Sequence, residues 1–263
     1  MQRFGIDVSA WQGNFNLMDA IKEGCQFTII KIGGADGRLY KADKFDFFYA
    51  QCEQYCLPKG CYFFGHAMTV EQAKKEAEYW LSLMEGYKFD YPVFYDVEAD
   101  MLKLDKRTLT NIIKCVCEIV ESHGYWVGIY SSRSHFDIEM YDNELSKYSH
   151  WVAAYGTKKP KLARGGDTQM WQFGGQINYI RSAKINGTTV DQNYCYVDFP
   201  TLIKKKGLNG YGSHTNTRKS NTEIAREVIS GLWGNGVVRR TRLTLAGYNA
   251  NEIQKIVNQL LAK

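Results

Sequence analysis

The chain is notable first for what it lacks. No run of 18 or more apolar residues occurs in its 263 residues, so no helical membrane span is expected. The opening residues, MQRFGIDVSAW, hold no apolar stretch of the kind that marks a secretory leader, and strand-like sequence starts at Phe4. The seven cysteines are odd in number, scattered, and contain no C-x2-C pair. That argues against a zinc site and for free thiols made in a reducing compartment. No Gly-x-Ser-x-Gly, His-Glu-x-x-His or phosphate-binding Gly-Lys-Ser motif is present, which removes the commonest serine-hydrolase, zinc-protease and nucleotide-binding readings. The histidines, His66, His123, His135, His150 and His214, are dispersed and read as structural or exposed. No metal and no cofactor is expected.

What is present is globular. Hydrophobic residues make up 44% of the chain and charged residues 23%, enough for one barrel-sized domain or a large domain with a small one. Aromatics reach 14%, with 18 Tyr and 6 Trp, a surplus that serves equally as core or as flat platforms for ligands. Charge is uneven. Residues 1–213 hold 25 Lys and Arg against 25 acids, whereas residues 214–263 hold eight against three and so carry the whole net +5. A basic tail on a neutral body points to an anionic surface as partner. It carries no nucleic-acid motif, and no nucleic-acid partner is expected.

Strand-length apolar runs recur at 4–8, 27–32, 60–65, 92–98, 126–132, 151–155, 169–173 and 190–194. Helical patterns fit at 16–24, 41–56, 70–84, 106–123 and 141–147. In the third helix Ala73, Ala77, Trp80, Leu81 and Met84 share one face, with Thr69 as N-cap. Strand and helix alternate, and later strands leave little room for helices. An α/β fold follows, with a parallel sheet covered by helices and an irregular barrel in its last third. Residues 204–221, basic and rich in Gly, Ser and Asn, read as a linker between a 1–203 barrel and a 222–263 three-helix module. In the module Asn249 caps the last helix with Glu252 closing a box, and Tyr248 and Ile253 form a staple.

The stretch YPVFYDVEAD, residues 91–100, ends an apolar strand in three acids. Alternation places Asp96 and Glu98 on one face, with Cα atoms about 7 Å apart at a rise of about 3.3 Å per residue. Asp7 on the first strand and Asp191 on the last would open on the same rim, where barrel enzymes keep their active sites. Crowded carboxylates push one another's pKa apart, as an acid and a carboxylate flanking a glycosidic bond require. Metal binding, or capping of a loop against Lys and Arg, explains the acids as well. Tyr62, Phe64, Tyr130, Trp151, Tyr155, Trp171 and Gln172 lie near strand ends, and Trp11 lies just past Asp7. Each is a candidate to stack on or bond to a sugar, or is core.

Taken together, the blocks GIDVSAWQG, CYFFGH, YPVFYDVEAD, GIYSS, WVAAYG, MWQFGG and VDQN, in this order over residues 3–200, resemble glycoside hydrolase family 25, the N-acetylmuramidases of bacteria and phages. The resemblance implies a (β/α)5β3 barrel and cleavage of the β-1,4 bond between N-acetylmuramic acid and N-acetylglucosamine. It implies Glu98 as acid/base, with Asp96, Asp7 and Asp191 as the other catalytic acids. It further leads to an expectation of substrate-assisted cleavage with net retention. NFNLMDA at 14–20 and SSRSHF after Tyr130 depart from the family's usual run. The tail, with EVISGLWGNG, R-x-RL, AGY and IQKIVN, resembles the CW-seven repeat of phage lysins. That implies peptidoglycan as partner, with Arg239, Arg240, Arg242, Trp233 and Tyr248 as wall-binding candidates. A phage endolysin is the expected type, resident in the host cytoplasm until lysis, then at the wall, without membrane insertion and open to self-association through its tail. A chitinase-like β-N-acetylglucosaminidase would want an Asp where Phe94 stands, and an inactive sugar-binding barrel would not need four acids.

Overall fold

A computed structural model of the chain describes residues 1–164, 166–212, 220–245 and 248–262, without the side chains of Val238, Thr241, Arg242 and Leu245. Two compact units result, residues 1–213 and 214–263.

In the first unit eight strands close into a barrel. They are β1 (Arg3–Val8), β2 (Thr28–Gly34), β3 (Lys59–Phe64), β4 (Val93–Asp96), β5 (Val127–Ser132), β6 (Ser149–Ala153), β7 (Thr168–Gly174) and β8 (Asp191–Cys195). β1 to β7 pair in parallel in sequence order, and β8 lies antiparallel between β7 and β1 and closes the ring. A two-residue strand, Tyr40–Lys41, extends from β2. The principal covering helices are α1 (Leu17–Lys22), α2 (Phe45–Tyr55), α3 (Val70–Met84) and α4 (Lys106–Ser122), followed by the short α5 (Arg133–Ile138) and α6 (Asp142–Leu145). The expected irregular α/β barrel is what forms.

Alternation along each strand sorts side chains into two layers. Phe63, Val93, Tyr95, Val97 and Ile129 point outward and meet helices; Trp80 of α3 stacks on Phe63 at 5.8 Å. Leu109, Ile112, Ile113, Val116 and Val120 form the buried stripe of α4, which Asp105 caps by accepting from the amides of Arg107 and Thr108. α3 begins at Thr69, whose hydroxyl accepts from the Gln72 amide, as the spacing predicts. Inside the barrel, Phe27, Ile29, Tyr91, Phe94, Trp151 and Met170 form the second layer.

The floor of that layer corrects the sequence reading. Residues 204–212 are not linker. Helix α7 (Phe199–Lys206) inserts Phe199 and Ile203 into the interior cluster, and Phe199 meets Tyr91 edge-on at 6.0 Å. Asn209 is fully buried. Its side chain accepts from the Trp126 amide at 2.6 Å and donates to the Tyr91 carbonyl at 2.8 Å. Tyr211 and Lys204 both bond Asp90. The polar composition that reads as solvated linker is spent on the backbone groups of strand starts, which need partners when buried.

The second unit holds α8 (Asn221–Ile229), α9 (Gly236–Leu245) and α10 (Ala250–Leu261), the three helices expected. Ser220 and Glu223 make a reciprocal capping box on α8. Asn249 caps α10, and Glu252 accepts from Asn221 rather than closing a box at its own helix. Ile224, Val228, Leu243, Tyr248, Ile253 and Val257 form the core, which includes the expected Tyr248–Ile253 staple.

Candidate active site

The carboxylates gather at the rim where β1 to β7 end. Asp96 is the last residue of β4, so the strand is shorter than expected and Glu98 lies beyond it. Glu98 nevertheless keeps extended backbone, φ −145° and ψ −170°, which preserves the alternation while Val97 packs outward. Asp191 reaches the rim by a route the sequence reading had reversed. It is the first residue of β8, and because β8 is antiparallel its start sits opposite Asp7, with which it pairs in register. The short turns of a β3 closure make this arrangement available to a residue at a strand start.

A bonded network fixes Asp7. Its Oδ2 accepts from Gln172 Nε2 at 3.0 Å and from Asn193 Nδ2 at 2.7 Å. Gln172 Oε1 in turn accepts from the Tyr130 hydroxyl at 2.8 Å, and Asn193 Oδ1 from Trp151 Nε1 at 2.8 Å. The Trp151 indole N–H can only donate, which sets the orientation of the Asn193 amide, and the Gln172 amide is oriented by donating to Asp7 while accepting from Tyr130. Asn193, at a β-bulge in β8, was not foreseen from sequence. Neither was Lys31. It rises from β2 with its ammonium 4.7 Å from the centre of the Phe64 ring and 5.9 Å from that of Tyr62, and its charge reaches Asp96 and Glu98. Lys31 shares the inward parity of Phe27 and Ile29, and that parity was the available signal.

Of the predicted aromatics, Tyr62 and Tyr130 lie within reach of the carboxylates' charges, and Phe64 lies beside Lys31. Trp151 is buried, 1% exposed, with Tyr130 at 4.4 Å, Phe94 at 5.2 Å and Tyr62 at 6.0 Å. It supports the wall and presents no open face. Trp171 is a correction: it is buried in the outer layer, bonded to the Ala154 carbonyl and packed on Phe173, because Gln172 beside it takes the inward position. Tyr155 stands at the mouth, 50% exposed. Asp100, expected as a loop acid, lies in a 3-10 helix, Ala99–Lys103, that follows Glu98, and pairs with Lys103.

Burial sets the electrostatics. It raises Asp7 to about 8, helped by Asp191 and opposed by the two amide donors. Burial and then the Glu98 charge push Asp96 well above the carboxylate range, with Lys31 opposing. Asp96 Oδ1 is buried without a hydrogen-bond partner among the described residues. Burial raises Glu98 too, while Lys31 counters and Asp191 adds to the rise. Burial lifts Asp191 to about 6. The four cannot all ionise at neutral pH; they share protons as one coupled set. Behind them, buried Glu76 of α3 accepts from Tyr95 and from the His66 amide, tying the β3 and β4 loops together.

Gly175 leaves room for one of the acids. A Cβ there would lie 2.0 Å from Asp191 Oδ1 and 3.6 Å from the Tyr155 hydroxyl. Gly175→Ala is expected to displace the Asp191 carboxylate and to lower kcat/KM about ten- to a hundredfold, the scale of a misplacement near 1 Å. A small change in melting temperature should accompany it, read by circular dichroism alongside a wall-turbidity rate.

In the second unit the wall-binding candidates divide. Tyr248 is buried, and Trp233 bonds Glu227 and meets Tyr248 edge-on at 6.2 Å, so both serve the core. The Arg239 guanidinium bonds the Gly234 carbonyl, Asn235 and Gln254 and holds the 234–235 turn. Arg240 is exposed and bonds Asn251. The Arg242 side chain lies outside the described residues.

Fold and site together define an α/β barrel with four carboxylates gathered on one rim. Residues 6–180 match Glycosyl hydrolases family 25, and the chain belongs to that family. Residues 222–261 match the CW_7 repeat. Among relatives, the lysozyme of Streptococcus phage Cp-7 is 29% identical over 261 residues, covering 97% of this chain and 69% of that protein. Lysozyme M1 of Streptomyces globisporus is 26% identical over 204 residues, 70% of this chain and 68% of that one. Among solved structures, a bacterial lysozyme from Streptomyces coelicolor superposes with a TM-score of 0.65 at 22% identity, covering 80% of this chain and 98% of its own. The CTP1L endolysin gives 0.64 at 21%, covering 77% and 70%. These structures share the fold.

Proposed function

We propose that the chain is a peptidoglycan hydrolase of the phage endolysin type, cleaving the β-1,4 bond on the reducing side of N-acetylmuramic acid. The kinship to phage and bacterial lysozymes supports the substrate, and the wall-associated repeat supports delivery to it. The observation that carries the chemistry is a half-buried Glu98 with raised pKa beside three further carboxylates on one rim. Glu98 protonates the glycosidic oxygen. The carbonyl oxygen of the sugar's own acetamido group attacks C1 as that C–O bond breaks, while Asp96 or Asp191 accepts from the acetamido N–H. The carboxylate left on Glu98 then takes a proton from water, whose oxygen joins C1, and the acetamido group is restored. Net retention follows from two inversions. Arg240, an exposed guanidinium of the repeat, would meet carboxylates of the peptide stem.

The test is product analysis on purified walls. Mass spectrometry should find muramic acid at the new reducing ends, and proton NMR should find the β anomer first. N-acetylglucosamine ends would overturn the bond assigned, and an initial α anomer would overturn retention.

A further inference from the structure

The tryptophan nearest the carboxylates in sequence is also the most exposed large apolar side chain among the described residues: Trp11, at 93%. An indole in water forfeits the burial energy that elsewhere makes aromatics core residues. Its backbone, by contrast, is held firmly. Trp11 lies in a 3-10 turn, Ala10–Gln12, closed by a capping box in which Ser9 Oγ accepts from the Trp11 amide at 3.3 Å and Gln12 Oε1 accepts from the Ser9 amide at 2.8 Å. The turn is also bonded outward: Gln12 Nε2 donates to the Thr189 carbonyl, two residues before Asp191. The pedestal thus bridges the two strands that carry Asp7 and Asp191, and it presents the ring outside the pocket they line.

We propose that Trp11 is a sugar-stacking platform that lengthens the cleft, gripping a pyranose ring of the glycan strand beyond the two that flank the scissile bond. The inference rests on the reading of the cleft as glycan-cleaving. A pyranose presents an apolar face of axial C–H groups, and a rigid exposed indole matches it at little entropic cost because its backbone is already fixed. Exposure of nearly the whole ring keeps it away from the reacting atoms. Its contribution therefore falls on binding of long strands and not on the bond-breaking step.

The experiment compares the full native chain with Trp11→Ala and Trp11→Tyr on two soluble substrates: the shortest muroglycan the native chain cleaves, and strands of about eight or more sugars. The ratio of kcat/KM for long over short strands is expected to fall about tenfold in Trp11→Ala, carried by KM, and to recover in large part in Trp11→Tyr. The melting temperature should not move, since an exposed ring contributes no packing. An unchanged ratio would overturn the platform, as would a fall in kcat on both substrates alike, which would place Trp11 in the chemistry. A native chain that cleaves neither substrate would overturn the glycan-cleaving reading itself, and so the two failures are separable.

Discussion

Glu98→Gln is expected to lower wall clearing at pH 6 by about a thousandfold while leaving the fold intact. A positioned general acid contributes about 10²–10⁴ in rate, and the amide has the size of the acid without its proton. Val97 continues to pack outward and the extended backbone at Glu98 is unaltered, so the loss cannot come from unfolding. A variant retaining more than about a tenth of native clearing would remove Glu98 from the acid role. The pH dependence tests the same assignment from the other side. The acid must be protonated to work, so activity falls as pH rises through its pKa, and burial has raised that pKa. The alkaline limb of kcat/KM should accordingly lie above the ordinary glutamate range of about 4.3. Lys31 opposes the rise at Glu98 and at Asp96. Lys31→Met should lift both groups further. The acid limb, set by the carboxylates that must be ionised, and the alkaline limb, set by Glu98, should then both move to higher pH. A profile that stays in place would mean Lys31 is screened from the pair.

Much of this site is legible in the sequence because period-2 alternation is a strong constraint. Once Asp96 is placed inward, Glu98 and Phe94 follow, and Val97 must go out. The same rule governs two further positions. Gln172 inward forces Trp171 outward, so the two could not both face substrate; and Phe27 and Ile29 inward place Lys31 with them. A lysine inside a barrel contradicts ordinary composition, and only the carboxylates that receive it make it tolerable. Strand direction is a different matter. Nothing in VDQNY says that β8 runs antiparallel, and hence that Asp191 meets Asp7 from its strand start. Nor does composition distinguish a solvated linker from residues 204–212. The polar groups there satisfy buried strand starts, which is a tertiary fact. The helix α7 that plugs the floor was lost with it, because its run of three lysines, Lys204 to Lys206, hides the inward pair Phe199 and Ile203.

Asp7→Asn is expected to make the barrel more stable at pH 8 and not at pH 4, while abolishing most activity. The sign follows from linkage. Asp7 has a folded pKa raised to about 8, well above the roughly 3.9 of an unfolded aspartate. Below about pH 4 both states hold the proton and the group costs nothing. Between the two values the unfolded chain releases a proton that the folded chain retains, so stability drains away as pH rises and levels off past the folded value. Asp191, raised to about 6, adds the same trend over a narrower window. Asp90, by contrast, bonded to Lys204 and Tyr211, has a lowered pKa, so the stability it contributes is present at neutral pH and lost only as pH falls into the acid range. Native stability should therefore decline from mildly acidic to alkaline pH. The asparagine removes the buried charge and can keep both amide donors, which share Oδ2, by placing its carbonyl oxygen there; the two bonds become neutral ones, at a cost of about 1 kcal/mol. Relieving the cost of ionising a buried carboxylate outweighs that loss, so a net gain of roughly 1–3 kcal/mol is expected at pH 8. At about 2–4 °C per kcal/mol for a domain of this size, the barrel's melting temperature should rise by roughly 3–8 °C at pH 8 and stay level or fall slightly at pH 4. Calorimetry at the two pH values reads the difference. An equal loss at both would mean that Asp7 is ionised at no cost and that its amide partners outweigh burial. The expected gain would show that the acids crowded onto this rim are held there against the stability of the fold.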